Sequence, residues 1–149
     1  MIPHLMGTVK GKQTNNRAEL TAIQKCIEAT LQFPRPLHIF TDSQYSLHSI
    51  SKFCRITMED FSEAVKYDKV LNLDIISTIV DLIRQRLPNK VFISKVAAHK
   101  GIIGNEIADQ LSKRARLAII SEEERNAANR KAGIESLKRF LTWRHKKIR

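Results

Sequence analysis

Cysteine is what this sequence is first short of. Cys26 and Cys54 are its only two, with no CxxC spacing between them. A disulfide framework or a zinc site is therefore unsupported, and a reducing intracellular setting fits best, cytoplasm or nucleus. No uninterrupted apolar run approaches the ~20 residues that a bilayer requires. The opening MIPHLMGTVKGK has neither the apolar core of a secretory signal nor the Arg- and Ser-rich character of a transit peptide, so no signal peptide and no membrane are expected. Internal repeats and low-complexity segments are absent too. Negative charge is also scarce: 15 acidic side chains stand against 26 basic ones, a net charge of +11. The surplus is uneven, with 15 basic and 11 acidic groups in residues 1–113 but 11 and 4 in residues 114–149. Such a balance favours a polyanionic partner, most simply nucleic acid.

What remains is one domain's worth of chain, 149 residues with 42% hydrophobic side chains. LMGTVK, residues 5–10, reads as a short strand closed by Gly11. TNNRAELTAIQKCIEATLQF follows with helical spacing, Ala22, Ile23, Cys26 and Ile27 forming its apolar face, until Pro34 and Pro36 stop it. LHIFTD reads as a buried strand ending at Asp42, and residues 43–50 as a short helix. Residues 51–67 read as loop with some helix. From Asp68 onward Leu73, Ile76, Val80, Ile83 and Leu87 recur at helical steps, up to the break at Pro88-Asn89. VFISKV is the next strand, and a helix is expected from about Gly104 to Leu117. Two parts result: a domain over residues 1–117 and a basic, helix-prone tail over 118–149, with Phe140, Leu141, Trp143 and Ile148 among its charges. Alternating strands and helices predict an α/β sandwich, with ligands at the carboxyl ends of its strands.

Three acids stand near those ends. Glu19 could complete a capping box with Asn16, Asp42 could cap the helix beginning at Ser43, and Asp109 could favour the start of its own helix through the dipole. Yet asparagines and a glutamine flank them, and His99 stands nearby. Converging carboxylates repel unless a hard cation holds them, and Mg²⁺ takes oxygen ligands while keeping waters for chemistry.

TNNRAEL, TDSQY and HKGIIGNEIADQL, in this order and at these separations, resemble the type 1 ribonucleases H, cellular or retroelement-borne, from about residue 7 to about 117. The resemblance implies a mixed five-stranded sheet with helices on both sides. It implies an Mg²⁺-dependent endonuclease, with Mn²⁺ as an alternative ion, that cleaves the RNA strand of RNA–DNA hybrids. Glu19, Asp42 and Asp109 fall where the family places metal-binding carboxylates, and His99 where it has a mobile loop histidine. Asn15, Asn16, Gln44 and Asn105 match positions that contact the hybrid's minor groove; amides suit 2′-hydroxyls and base edges because they both donate and accept.

The pattern also has a gap. The family carries another catalytic aspartate on its first strand, whereas before Asp42 the only acids here are Glu19 and Glu28. The sheet is therefore expected to be truncated at its N-terminus, lacking the first two strands. A reading frame begun at an internal methionine, a split retroelement gene, a partner chain supplying the strands, or a domain repurposed for binding would each account for this. The alternative to the nuclease is thus an inactive nucleic-acid-binding or scaffold module within a larger ribonucleoprotein or retroelement-derived complex. A third role is docking on another protein through Phe140, Leu141 and Trp143.

Overall fold

The computed structural model describes residues 4–59 and 71–147, with side-chain surroundings for residues 4–55 and 71–139. Six elements follow in order: α1 (Asn15–Ala29), β1 (Leu37–Thr41), α2 (Gln44–Glu59), α3 (Leu73–Gln85), β2 (Val91–Lys95) and α4 (Ile103–Lys147). The chain divides into two units, Met1–Leu111 and Ser112–Arg149. No helix among the described residues is long and apolar enough to cross a membrane.

In the first unit, β1 and β2 pair in parallel, with Leu37 opposite Val91 and Thr41 opposite Lys95. A parallel pair needs a crossover, and α2 and α3 provide it. One further bond, Val96 N–H to Thr41 O at 2.9 Å, extends the ladder past the end of β2. Along β1 the side chains alternate: Ile39 and Thr41 are buried, His38 and Phe40 exposed. The buried face meets a core built by Leu20, Ile23 and Ile27 of α1, Ile50 of α2, and Ile75, Ile76, Ile79 and Leu82 of α3. Each of these aliphatic side chains contributes roughly 1.5–3 kcal/mol by leaving water. On the opposite face His38 stacks on Phe40 with ring centroids 4.3 Å apart and bonds Ser94 Oγ through Nε2 at 2.8 Å. The resemblance implied helices on both sides; among the described residues this aromatic face stands exposed, Phe40 at 61%.

The periodicities locate the helices but shift their faces. On α1 the buried row is Leu20, Ile23 and Ile27, and Ala22 is exposed. On α3 the row is Ile75, Ile76, Ile79, Val80 and Leu82, while Leu87 lies beyond the helix end and is exposed. α2 is longer than the expected 43–50, because no breaker follows Ile50 before Glu59. The expected helical start at Asp68, and the later part of the 51–67 stretch expected as loop with some helix, lie outside the described residues.

Residues 5–10 form no strand. No described strand lies beside them, and a lone extended segment has nothing to satisfy its ladder. Instead their carbonyls are taken by side chains: Gln13 Nε2 donates to Val9 O at 2.6 Å, and Arg17 Nε to Lys10 O at 2.7 Å. Gly11, at φ +84°, turns the chain there, and a Cβ at that position would press on the Arg17 guanidinium at 3.3 Å.

The second unit is helix. The helix expected to stop near Leu117 continues without a break to Lys147. Residues 118–147 hold no proline and one glycine, Gly133, among many Ala, Glu, Lys and Arg, so no stop signal interrupts good helix formers. Residues 121–139 are exposed throughout. Phe140, Leu141, Trp143 and Ile148 lie outside the described side chains. At Gly133 an added Cβ would meet nothing within 4 Å. Gly133→Ala should therefore raise the helical signal in circular dichroism and stabilise this unit by about 0.5–1 kcal/mol. A loss of helicity would contradict the continuous helix.

Candidate functional site

Because β1 and β2 run parallel, their carboxyl ends share one edge of the sheet. Asp42 directly follows β1, and the loop holding His99 directly follows β2. α1 contributes Glu19 in its second turn, and the first turn of α4 contributes Asn105.

Structural duties that Glu19 and Asp42 could have had are performed by other residues. Thr14 caps α1, its Oγ1 accepting from Arg17 N–H at 3.3 Å, so Asn16 is not the cap and Glu19 completes no capping box. Ser43 caps α2, its Oγ accepting from Ser46 N–H at 3.1 Å, and Thr41 Oγ1 in turn accepts from Ser43 N–H at 3.1 Å. Asp42 is left with its carboxylate toward the sheet's edge, where Asn105 Nδ2 donates to its Oδ2 at 3.2 Å. The first-turn acid of α4 is Glu106, whereas Asp109 lies one turn further on, past the reach of a dipole effect confined to the first turn.

Glu19 and Asp42 lie close enough for the charge of one to act on the other. Both are half-buried. Burial pushes the Glu19 carboxyl above the usual carboxylate range, and the nearby charge of Asp42 raises it further. Arg17, two residues before Glu19, is committed elsewhere: it grips Asp74 through both terminal nitrogens, at 3.0 and 2.6 Å. That contact holds the Asp74 carboxyl below its ordinary value, chiefly through the hydrogen bonds.

Asp109 completes no cluster with this pair. Among the described residues no three His, Cys, Asp or Glu side chains form a group that could hold a metal ion. On α4 Asn105 is the residue that bonds Asp42, and Asp109 sits four residues later on the same face. The other sequence-derived positions fall at the starts of α1 and α2 and in the loop after β2. Asn15 and Asn16 are exposed in the first turn of α1, and Gln44 is exposed as the first residue of α2. His99 is exposed in its loop with φ +51°, a left-handed conformation that histidine tolerates better than most residues.

Sequence reasoning missed the frame behind α1. Asn72 takes φ +63° ahead of α3, accepts from Arg17 Nη1 at 3.4 Å, and donates through Nδ2 to Tyr45 Oη at 3.1 Å. Tyr45 Oη donates to Leu71 O at 3.2 Å. This network joins the Lys10 carbonyl, α1, α2 and the start of α3. Nothing local in NNRAE points to it, because Asn72 and Asp74 lie 55 and 57 residues from Arg17.

Chemically, the donor set is two half-buried carboxylates, oxygen ligands whose mutual repulsion a hard divalent cation would relieve. Mg²⁺ is commonly bound by one or two carboxylates together with waters and substrate phosphates, so the pair fits one such ion. It is short of the carboxylates for the two-ion centre that the resemblance implied.

An α/β fold with paired acids at the carboxyl edge of parallel strands defines a class, and comparison with known proteins resolves it. The RNase H family profile matches residues 3–117. Ribonuclease H of Tropheryma whipplei (strain Twist) is 36% identical over 102 residues, covering 68% of this chain and 62% of that protein. Ribonuclease H of Orientia tsutsugamushi (strain Boryong) is 30% identical over 128 residues, 86% of this chain and 69% of the relative. The Schizosaccharomyces pombe ribonuclease H is 35% identical over 103 residues, 69% of this chain and 37% of its own length. This chain belongs to the RNase H family. Its match spans under two thirds of the Tropheryma relative.

Proposed function

We propose that the chain acts on RNA–DNA hybrids as a ribonuclease H, hydrolysing the RNA strand with a divalent cation, Mg²⁺ or Mn²⁺, at Glu19 and Asp42. One observation supports this above the others: at the carboxyl edge of the sheet the charge of Asp42 acts on Glu19, and neither carboxylate has a capping duty to explain it. A divalent ion bound there would supply a polarised water and a counter-charge for the scissile phosphate. Glu19 and Asp42 hold it, and Asn105 fixes the Asp42 carboxylate by its bond to Oδ2. Asp109, one turn along the same face of α4, adds negative charge toward that edge. Asn15, Asn16 and Gln44 read the 2′-hydroxyls and base edges of the hybrid from the helix starts, where amides serve as both donor and acceptor. His99, exposed in the loop after β2, moves protons to or from the departing product.

A second reading rests on a specific shortage. Two converging carboxylates are few for cleavage, which favours a module that grips nucleic acid without cutting, alone or beside a chain that completes the site. A hybrid labelled separately on each strand separates the two. Mg²⁺-dependent shortening of the RNA strand alone supports the nuclease; salt-sensitive binding with both strands intact supports the module.

A further inference from the structure

Ser112–Arg149 carries 12 Lys and Arg against 4 Glu, the densest positive charge in the chain. A helix at 100° per residue turns this count into a pattern. Lys113, Lys131 and Lys138 fall in one row, because 18 residues make five turns and 25 nearly seven. Arg114, Arg125 and Arg139 fall in a second row about 100° round the axis. Arg114, Arg125 and Lys131 are exposed, as are all residues from 121 to 139. Between the rows stand Glu124 and Glu135, the latter 3.5 Å from Lys138. Glu122 and Glu123 lie on other sides of the helix. From Lys113 to Arg139 the rows run about 39 Å, at 1.5 Å per residue. One turn of a nucleic-acid duplex occupies about 34–36 Å.

We propose that this half of α4 is a phosphate-contacting rail for duplex nucleic acid, long enough to follow about one helical turn. The inference rests on the hybrid reading of the first unit, to which it adds a second, sequence-independent contact surface. The partner is recognised by charge and length. Guanidinium and ammonium groups in two rows neutralise backbone phosphates and release counterions, so the contact is strongly salt-dependent. Arginine's fork gives bidentate phosphate bonds along one row, and lysines act as point charges along the other. Glu124 and Glu135 weaken the rail's field and hold its grip below saturation.

The test uses the full chain and a fluorescent RNA–DNA hybrid of about two turns, without divalent ions so that binding is read free of turnover. Anisotropy is followed across a salt series for the unmodified chain, for the triple variant Arg114→Gln, Arg125→Gln, Lys131→Gln, and for Glu124→Gln with Glu135→Gln. Glutamine is a sound helix former, and circular dichroism checks that α4 persists. The triple variant should flatten the plot of log K against log salt by about 2–3, near 0.9 per lost phosphate contact, and weaken binding at least about tenfold near physiological salt. The double variant should tighten binding. An unchanged slope in the triple variant, with α4 intact, overturns the rail while leaving the site at Glu19 and Asp42 untouched. A lowered slope in a chain that never cleaves leaves the rail standing and removes only the nuclease reading. Binding to anionic phosphatidylserine vesicles in place of the hybrid would overturn the rail in favour of a membrane surface.

Discussion

Asp42→Asn should lower Mg²⁺-dependent cleavage of a hybrid by about 10²–10³-fold, the range for losing one electrostatic group at a reacting centre. The substitution keeps the shape of the side chain, and an amide oxygen at position 42 can still accept from Asn105 Nδ2, now at 3.2 Å from Oδ2. α2 should be undisturbed, because its cap is Ser43. What goes is charge. A cation at the pair loses half its anionic donors, and Glu19 loses the neighbour that helps to raise its pKa. Hybrid affinity without metal should hold or improve slightly, since a negative charge has left a phosphate-binding edge. Cleavage within about threefold of the unmodified chain would show that Asp42 holds no reacting ion.

The second large effect falls far from the site in sequence. Arg86 is 4% exposed, and two backbone carbonyls hold it. Its Nη1 donates to Thr30 O and, at 3.3 Å, to Thr30 Oγ1, and its Nη2 donates to Arg35 O at 2.7 Å. Among the described residues its Nε has no partner. Thr30 is the C-cap of α1, so the guanidinium sits where the helix dipole is negative and carbonyls lack intrahelical donors. Arg86→Ala would strand the Thr30 and Arg35 carbonyls and leave a cavity. Urea denaturation should show a loss of about 2–4 kcal/mol. Against a typical total of about 5–15 kcal/mol, that is a large share. Arg86→Lys should recover only part of it, because one ammonium cannot reproduce a fork that spans two acceptors. A change below about 0.5 kcal/mol would mean that water replaces these bonds without cost.

Glu19 and Asp42 were legible because their signals are local: each sits in a short polar motif beside a strand end or helix start, within a few residues of its neighbours. Their innocent explanations were legible too, but wrong in detail. Asn16 and Asp42 looked like caps, yet Thr14 and Ser43 had equal chemistry one or two residues away, and the structure uses those. Spacing could not choose between adjacent good caps. The strand expected at 5–10 failed because extended segments depend on neighbours that a local pattern does not contain. The helix expected to end near Leu117 runs on through the helix-prone tail, because a helix ends on breakers and α4 meets no proline through Lys147. Arg17 and Arg86 were invisible because their partners lie more than fifty residues away, Asp74 for one and Thr30 for the other.

Glu19 also ties the site to pH. A carboxyl raised above its unfolded value contributes stability that is complete below that value and is lost as pH rises through the folded one. Charging Glu19 in its half-buried place beside Asp42 therefore costs stability, and a bound cation would offset this. The most direct measurement follows the Glu19 side-chain carbon by NMR through a pH titration, with and without Mg²⁺. The account predicts a midpoint above the ordinary glutamate value without metal. It predicts a clear fall on adding Mg²⁺, and only a partial fall in Asp42→Asn, where burial remains. A Glu19 that titrates as an ordinary glutamate, indifferent both to Mg²⁺ and to Asp42→Asn, would contradict a cation-holding pair at this edge of the sheet.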